Sequence, residues 1–139
     1  MIIKTIHELN DEELKEYPKL YQQVFGYWDS THIPGMVIGL YNEKNELVGF
    51  LSGYAHTTED FYIQAAGLLP GIRKKKEWEI IDLVIEYLEK TYDFKRFIAF
   101  IYNTNIKTLI VVLKKGWIIF GTRTDGKQLL VEVIKEVKV

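Results

Sequence analysis

Residues 96–102 read RFIAFIY, a run with no polar residue after Arg96. A strand with one wet face alternates apolar and polar side chains. A strand that does not alternate has to be covered on both faces. This segment therefore predicts the centre of a sheet with helices above and below it, and the rest of the chain must supply those layers.

The flanking segments have the required period. From Lys75 to Tyr92 the pattern is helical: Glu79, Asp82, Glu86 and Glu89 make a polar stripe, and Trp78, Ile81, Val84, Ile85 and Leu88 lie away from it. The segment NTNIKTLIVVLKKGW also contains the strand-like LIVVL, but Ile106, Leu109, Ile110 and Leu113 recur at helical spacing. Asn or Thr can cap its start, Lys114 and Lys115 complement the dipole at its end, and Gly116 suits the position just beyond. It is expected to be a helix.

Strands are expected at Ile2–Ile6, 36–41, 47–55 and 60–69, with a polar NEKNE turn between the second and third. Asn10 or Asp11 can cap a helix running to about Tyr17; Pro18 then interrupts, and KLYQQVFG forms a second short helix ending at Gly26. WIIFGTR and KQLLVEVI flank TDGK, whose Asp-Gly pair predicts a hairpin. The order is β-α-α-β-β-β-α-β-α-β-β. It describes an α/β chain with a central mixed, mostly antiparallel, twisted sheet and helices on both faces, in a single domain over 1–139.

Composition narrows the function classes. Of 139 residues, 47% are hydrophobic and 27% charged, a globular balance, and the net charge is −1. That charge gives the molecule no general field for nucleic acid, so any basic site is local. With no cysteine there is no disulfide framework, thiolate metal site or thiol nucleophile. No His/Asp/Glu spacing suggests a metal. MIIKTIHELNDEELKEY lacks a signal-peptide core, and no apolar run approaches the roughly 20 residues needed to span a bilayer. The expectation is a cytoplasmic protein without membrane or metal partners.

One stretch contradicts ordinary helix design. LLPGIRKKKEWEII breaks an apolar run at Pro70-Gly71, sets down Arg73, Lys74, Lys75 and Lys76, and then enters a helical pattern. A helix N-terminus already carries partial positive charge, so cations there are unfavourable unless an anion joins them. The sharp reading is a polyphosphate site; the plain one is a solvated charge run partly neutralised by Glu77 and Glu79.

The element order and several residues resemble the GNAT N-acetyltransferase superfamily, best between Met36 and Val133. Leu68-Leu69-Pro70 matches the family's strand end and Arg73 the first residue of its phosphate loop. Lys76 and Trp78 occupy the two glycine positions that come next, and Lys74 the looser one. Asn105 and Gly116-Trp117 match the second motif, with Val112 where the family often has a tyrosine acid. The resemblance implies an N-acyltransferase that moves an acetyl group from acetyl-CoA to a primary amine on a small molecule or peptide. In that reading Leu68, Leu69, Arg73, Lys74, Lys75, Lys76, Trp78 and Asn105 hold the cosubstrate. Tyr102, at the end of the central strand, stands in for the absent tyrosine. Glu59, with Asp60 and His56 beside it, occupies the place of a family base, and backbone N–H near Leu68 meets the oxyanion.

Each residue also has a plain alternative. Trp78 can anchor its helix to the sheet, Asn105 can be a cap, and Glu59 and Asp60 can be a polar turn. Tyr102 can be a rim aromatic. His7 and His32 are expected at the surface, and nothing around Ser30 or Ser52 suggests a nucleophile. The alternative function is a GNAT-fold binding or interaction module that has lost catalysis and keeps a CoA or nucleotide ligand. The acceptor would be met by GYWDSTHIPG and TRTDGK.

Overall fold

The computed structural model describes residues 3–28, 35–70 and 77–137, with side chains from position 81 in the last segment. Its strands are β1 (Ile3–Glu8), β2 (Met36–Asn42), β3 (Leu47–Ala55), β4 (Asp60–Leu68), β5 (Arg96–Tyr102), β6 (Ile118–Asp125) and β7 (Gln128–Glu136). Its helices are α1 (Tyr17–Phe25), α2 (Glu77–Tyr92) and α3 (Ile106–Lys114). They build one seven-stranded sheet in the order β1-β2-β3-β4-β5-β7-β6. Among the described strands only the β4–β5 pair is parallel, reached through α2; the others are antiparallel.

The apolar run at 96–102 is covered on one side by the main core. Phe97 and Ile101 face Val84, Ile85 and Leu88 of α2 together with Val112 and Trp117. Leu40, Leu51, Phe61 and Val133 join this core from the other strands. On the opposite face α1 buries Tyr17, Leu20 and Tyr21 against Val37, Tyr41 and Phe50. Phe50 and Leu51, adjacent in β3, serve opposite cores, as strand alternation requires. The three aromatics Tyr17, Tyr21 and Phe50 meet edge-on or tilted at 5.1–6.0 Å, which fixes α1 on the sheet.

The N-terminal region differs from expectation. Asn10 does cap: its Oδ1 accepts from Glu13 N–H at 2.9 Å while Glu13 Oε1 accepts from Asn10 N–H at 3.1 Å. The element it caps is a 3-10 turn, Glu13–Glu16, rather than a helix to Tyr17. Pro18 opens α1 instead of interrupting, because its missing N–H costs nothing in a helix's first turn. Gly26 ends α1 at φ 83°, as expected. The final hairpin is also shifted by one residue. Asp125 pairs with Gln128, so Gly126-Lys127 form the turn and only Gly126 takes positive φ.

His7 is not an isolated surface group. Its Nε2 lies 2.9 Å from Glu13 Oε2, its ring stacks on Tyr41 at 4.6 Å, and Tyr41 O–H donates to the same Glu13 oxygen at 2.6 Å. Ser52 is buried and accepts from Tyr17 O–H at 3.1 Å, a structural hydroxyl. No described helix is long and apolar enough to cross a membrane. His32 and Ser30 lie outside the described residues.

Candidate active site

β4 and β5 begin side by side and then part. Their ladder runs from the Asp60–Arg96 pair to the Ile63–Ala99 pair and stops, although β4 continues to Leu68 and β5 to Tyr102. The cause lies on the other edge of β4. Ser52 faces Ala65, but the next residue, Gly53, faces Ile63. Gln64 is therefore one residue too many, a β-bulge that bends its strand. Gly53 permits the close approach, since a Cβ there would sit 2.1 Å from the Tyr62 carbonyl oxygen. β5 cannot bend with it, because β7 holds it along its full length from Arg96 to Tyr102. A bent strand beside a held one leaves a V.

Hydrogen-bond phase shows what lines that V. Leu69 N–H donates to Val48 O at 2.9 Å, toward β3. Alternation then turns the N–H groups of Leu68 and Ala66 to the opposite edge, into the opening. Asn103 N–H donates to Leu129 O at 2.9 Å, toward β7. Phe100 and Tyr102 accordingly turn theirs toward β4, which has moved away. Both arms of the V thus carry backbone donors without a strand partner.

The cleft has a volume of about 490 Å³ and passes between the helical layers. Tyr21, Phe25 and Tyr27 stand on the α1 side; Ile81, Asn105, Thr108, Val112 and Trp117 line it on the other. The α3 wall is set by its caps. Asn105 Oδ1 accepts from Thr108 N–H at 3.3 Å at the start. At the end Gly116 takes φ 89°, with Gly116 N–H bonded to Leu113 O at 3.1 Å and Trp117 N–H to Val112 O at 3.0 Å. That Schellman closure brings Trp117 against Val112. Trp117 is 4% exposed, and its indole Nε1 has no hydrogen-bond partner among the described residues.

Tyr102 lines the cleft and is exposed. Asn105 also lines it while capping α3, so its two expected roles coexist geometrically. Leu68 buries its side chain in the core and does not line the cleft, which Ala66 does. Leu69 points its N–H to β3 and its side chain to the α1 core. Arg73, Lys74, Lys75 and Lys76 fall outside the described residues, as does the side chain of Trp78.

Glu59 is elsewhere. Together with Asp60 it clasps Arg96 at the closed end of the V: Arg96 Nη2 donates to Glu59 Oε2 at 3.2 Å, and Arg96 Nε donates to Asp60. The guanidinium holds the Asp60 carboxyl below its usual range. At ~3.3 Å per residue, Glu59 lies about 13 Å along the strand from where the cleft opens, so the structure does not bring it to the cleft.

A different carboxylate does come close. Glu132 of β7 pairs with Phe100, a cleft residue, across the β5–β7 ladder. Tyr62 O–H donates to Glu132 Oε1 at 3.3 Å, and burial, then the charge of Glu132, raises the Tyr62 pKa. The Tyr62 ring is tilted against Phe100 at 5.4 Å, and Arg123 sits 4.4 Å over the Phe100 ring. Sequence reasoning missed Glu132 because nothing local marks it; only the register of β7 on β5 places it here. Among the described residues no group of His, Asp and Glu is arranged to hold a metal.

No protein-family model matches the sequence, and no curated protein matches it. Solved structures do. The ribosomal-protein-S18-alanine N-acetyltransferase of Escherichia coli superposes with a TM-score of 0.77 at 13% identity, covering 97% of this chain and 94% of that one. The spermidine/spermine N-acetyltransferase SpeG of Vibrio cholerae gives 0.73 at 11%, covering 95% and 91%. A GNAT family acetyltransferase from Elizabethkingia anophelis with acetyl-CoA bound gives 0.66 at 14%, covering 96% and 97%. At such identities the likeness establishes the fold, which is that of the GNAT acetyltransferases.

Proposed function

We propose that this GNAT-fold protein is an acyl-CoA-dependent N-acyltransferase that moves an acetyl group from acetyl-CoA to a primary amine. The observation that carries the reading is the parting of β4 from β5 beyond Ile63 and Ala99, which frees backbone donors on the facing edges. Such donors, fixed before the substrate arrives, suit the charge that builds on a thioester carbonyl oxygen under attack. One such backbone N–H near Leu68, that of Ala66 on the cleft wall, meets that oxygen. Arg73, Lys74, Lys75 and Lys76 come after β4 in sequence and precede the first described turn of α2, where a pyrophosphate would reconcile them with the helix dipole.

The chemistry balances as one acyl transfer. The amine nitrogen attacks the carbonyl carbon, the carbon–sulfur bond breaks, and amide and thiol result. Glu132 takes the nitrogen's proton directly or through a water, since it neighbours the cleft from β7. Tyr102 O–H, on the cleft rim, returns a proton to the departing sulfur. The acceptor meets the aromatic mouth formed by Phe25 and Tyr27.

One observation favours a second reading. Val112 is 1% exposed and puts an apolar wall where a proton donor would be expected. A module that binds CoA or a nucleotide without turning it over would have the same appearance. Calorimetric titration with CoA and acetyl-CoA at low salt, joined to a thiol-release assay, separates the two. Saturable binding with thiol release on adding amines supports the transferase, and Glu132→Gln should then lower kcat about 100-fold with little change in KM. Binding without thiol release, across a panel of amines, supports the module. Heat signals absent at millimolar coenzyme would reject both.

A further inference from the structure

The segment TRTDGK carries a cation that acyl transfer does not by itself require, Arg123 of β6. Ala99 and Val133, opposite each other in β5 and β7, belong to the core beneath α2. The next pair, Phe100 and Glu132, therefore faces the other side of the sheet. Across β7, Glu132 pairs with Gly121 and Leu130 with Arg123, so Arg123 stands on that same side. Its guanidinium carbon sits 4.4 Å over the Phe100 ring, and that ring lines the cleft. Two opposite charges thus flank one cleft aromatic, yet they do not pair. Tyr62 O–H occupies Glu132 Oε1 at 3.3 Å, and Oε2 has no partner among the described residues. Arg123 makes no ion pair with Glu132, nor with Asp125, the next charged side chain on its face of β6. Gly121 keeps the flank of Glu132 open: a Cβ there would meet only Glu132, with Oε2 3.7 Å away. Stacking on a ring covers the face of a guanidinium and leaves its edge N–H groups free, the fork that fits a carboxylate.

Resting on the transferase reading, we propose that the acceptor is a small amino acid, with its amine toward Glu132 and its carboxylate held by Arg123. The charges select this class. A diamine or polyamine would set its second ammonium against Arg123, where like charges repel. An amine with no second charge would leave the guanidinium fork unused. A molecule carrying both an amine and a carboxylate satisfies both protein charges at once, and the Phe100 ring between them gives its methylene groups an apolar floor. Arg123 meets the end of the acceptor remote from the bond being made. It therefore acts on binding and leaves the chemical step alone: the amine still attacks, and Glu132 still takes its proton.

The test is thiol release from acetyl-CoA by the full chain, with α-, β- and γ-amino acids each set against its own carboxamide, and with diamines as a third class. An amine beside a carboxamide is less basic than one beside a carboxylate, so the change on mutation, not the raw preference, reads the subsite. Arg123→Gln should raise KM for the best amino acid about tenfold, equivalent to about 1.4 kcal/mol, with kcat unchanged and KM for the matching carboxamide unchanged. Arg123→Lys should recover part of the loss, since an ammonium keeps the charge but not the fork. Arg123 is exposed, so both variants should keep the wild-type Tm. A variant that raises KM for acid and carboxamide alike has disturbed the surface rather than a carboxylate contact, and overturns the assignment. Turnover of diamines alone, or of amines with no effect of Arg123→Gln, also overturns it and leaves the transferase reading intact. No thiol release with any amine overturns both.

Discussion

Tyr102 and Val112 differ in what a substitution at each can reach. Val112 matches the position where the resembled family often has a tyrosine, and it is buried to 1% exposure in the core shared with Trp117. Val112→Tyr would force a ring into filled space and cost about 1–3 kcal/mol of stability, so its expected effect is a lower Tm and no gain in rate. Tyr102, by contrast, is 45% exposed on the cleft rim, where losing the hydroxyl leaves packing almost untouched. Under the proposed transferase reading, Tyr102→Phe should lower kcat about tenfold, less than loss of a sole acid would, with water able to take over the role. The check is thiol release at saturating substrates, paired with a Tm for each variant. A Tyr102→Phe enzyme at full rate removes Tyr102 from the mechanism and leaves the proton to water.

At the scale of elements, the opening depends on one strand bending where its neighbour cannot. Gly53 sits at the pivot, with the Tyr62 carbonyl 2.1 Å and the Phe61 ring 2.6 Å from where a Cβ would be. Gly53→Ala should destabilise the fold by about 1–3 kcal/mol and weaken acetyl-CoA binding along with it. A denaturant midpoint equal to that of wild type would show that β3 and β4 absorb the methyl and that the pivot is not strained. The elements themselves are largely legible in the sequence. β3 at 47–55 and β5 at 96–102 form over the residues their patterns mark, because apolar length and turn punctuation act locally. Pro18 misleads because a proline that breaks a helix interior is also one that opens a helix. The site is legible only in part. Tyr102 and Asn105 reach the cleft because strand ends and helix starts gather there. Glu59 does not reach it and Glu132 comes beside it, because ladder register carries no local signature. The insertion of β7 between β5 and β6 adds to this, since the chain order of the last two strands is not their spatial order.

Across the whole molecule, two charge clasps hold the sheet at separate places, and both weaken in acid. Tyr41 O–H first, then His7 and the Asn10 N–H, hold the Glu13 carboxyl down to about 2 from an ordinary 4.5. This ties the 3-10 turn to β1 and β2. Arg96 lowers Asp60 in the same sense where β4 and β5 begin. A carboxyl lowered by folding binds its proton later in the folded state than in the unfolded one. Its contribution is complete above the unfolded pKa and is lost as pH falls through the folded one. For Glu13 that loss spans about 4.5 down to about 2. Tyr41→Phe removes the largest cause, so the Glu13 carboxyl should titrate at higher pH and acid unfolding should begin at higher pH. Carboxyl-carbon NMR and circular dichroism through the acid range measure the two effects. Identical curves for wild type and Tyr41→Phe would refute the clasp.

The extra residue at Gln64 also divides β4 into two segments of opposite parity. Phe61 and Ile63, odd-numbered, face the same core as Ala66 and Leu68, even-numbered. The peptide groups invert in step: Asp60 O accepts from His56 N–H on the β3 side, and beyond the bulge Leu69 N–H donates to Val48 O on that same side. A substitution scan along β4 would therefore show the positions that face the α2-side core switching from odd before Gln64 to even after it. Any relative aligned without a gap at this point, but lacking the insertion, would be compared face against wrong face over the half of the strand that borders the cleft.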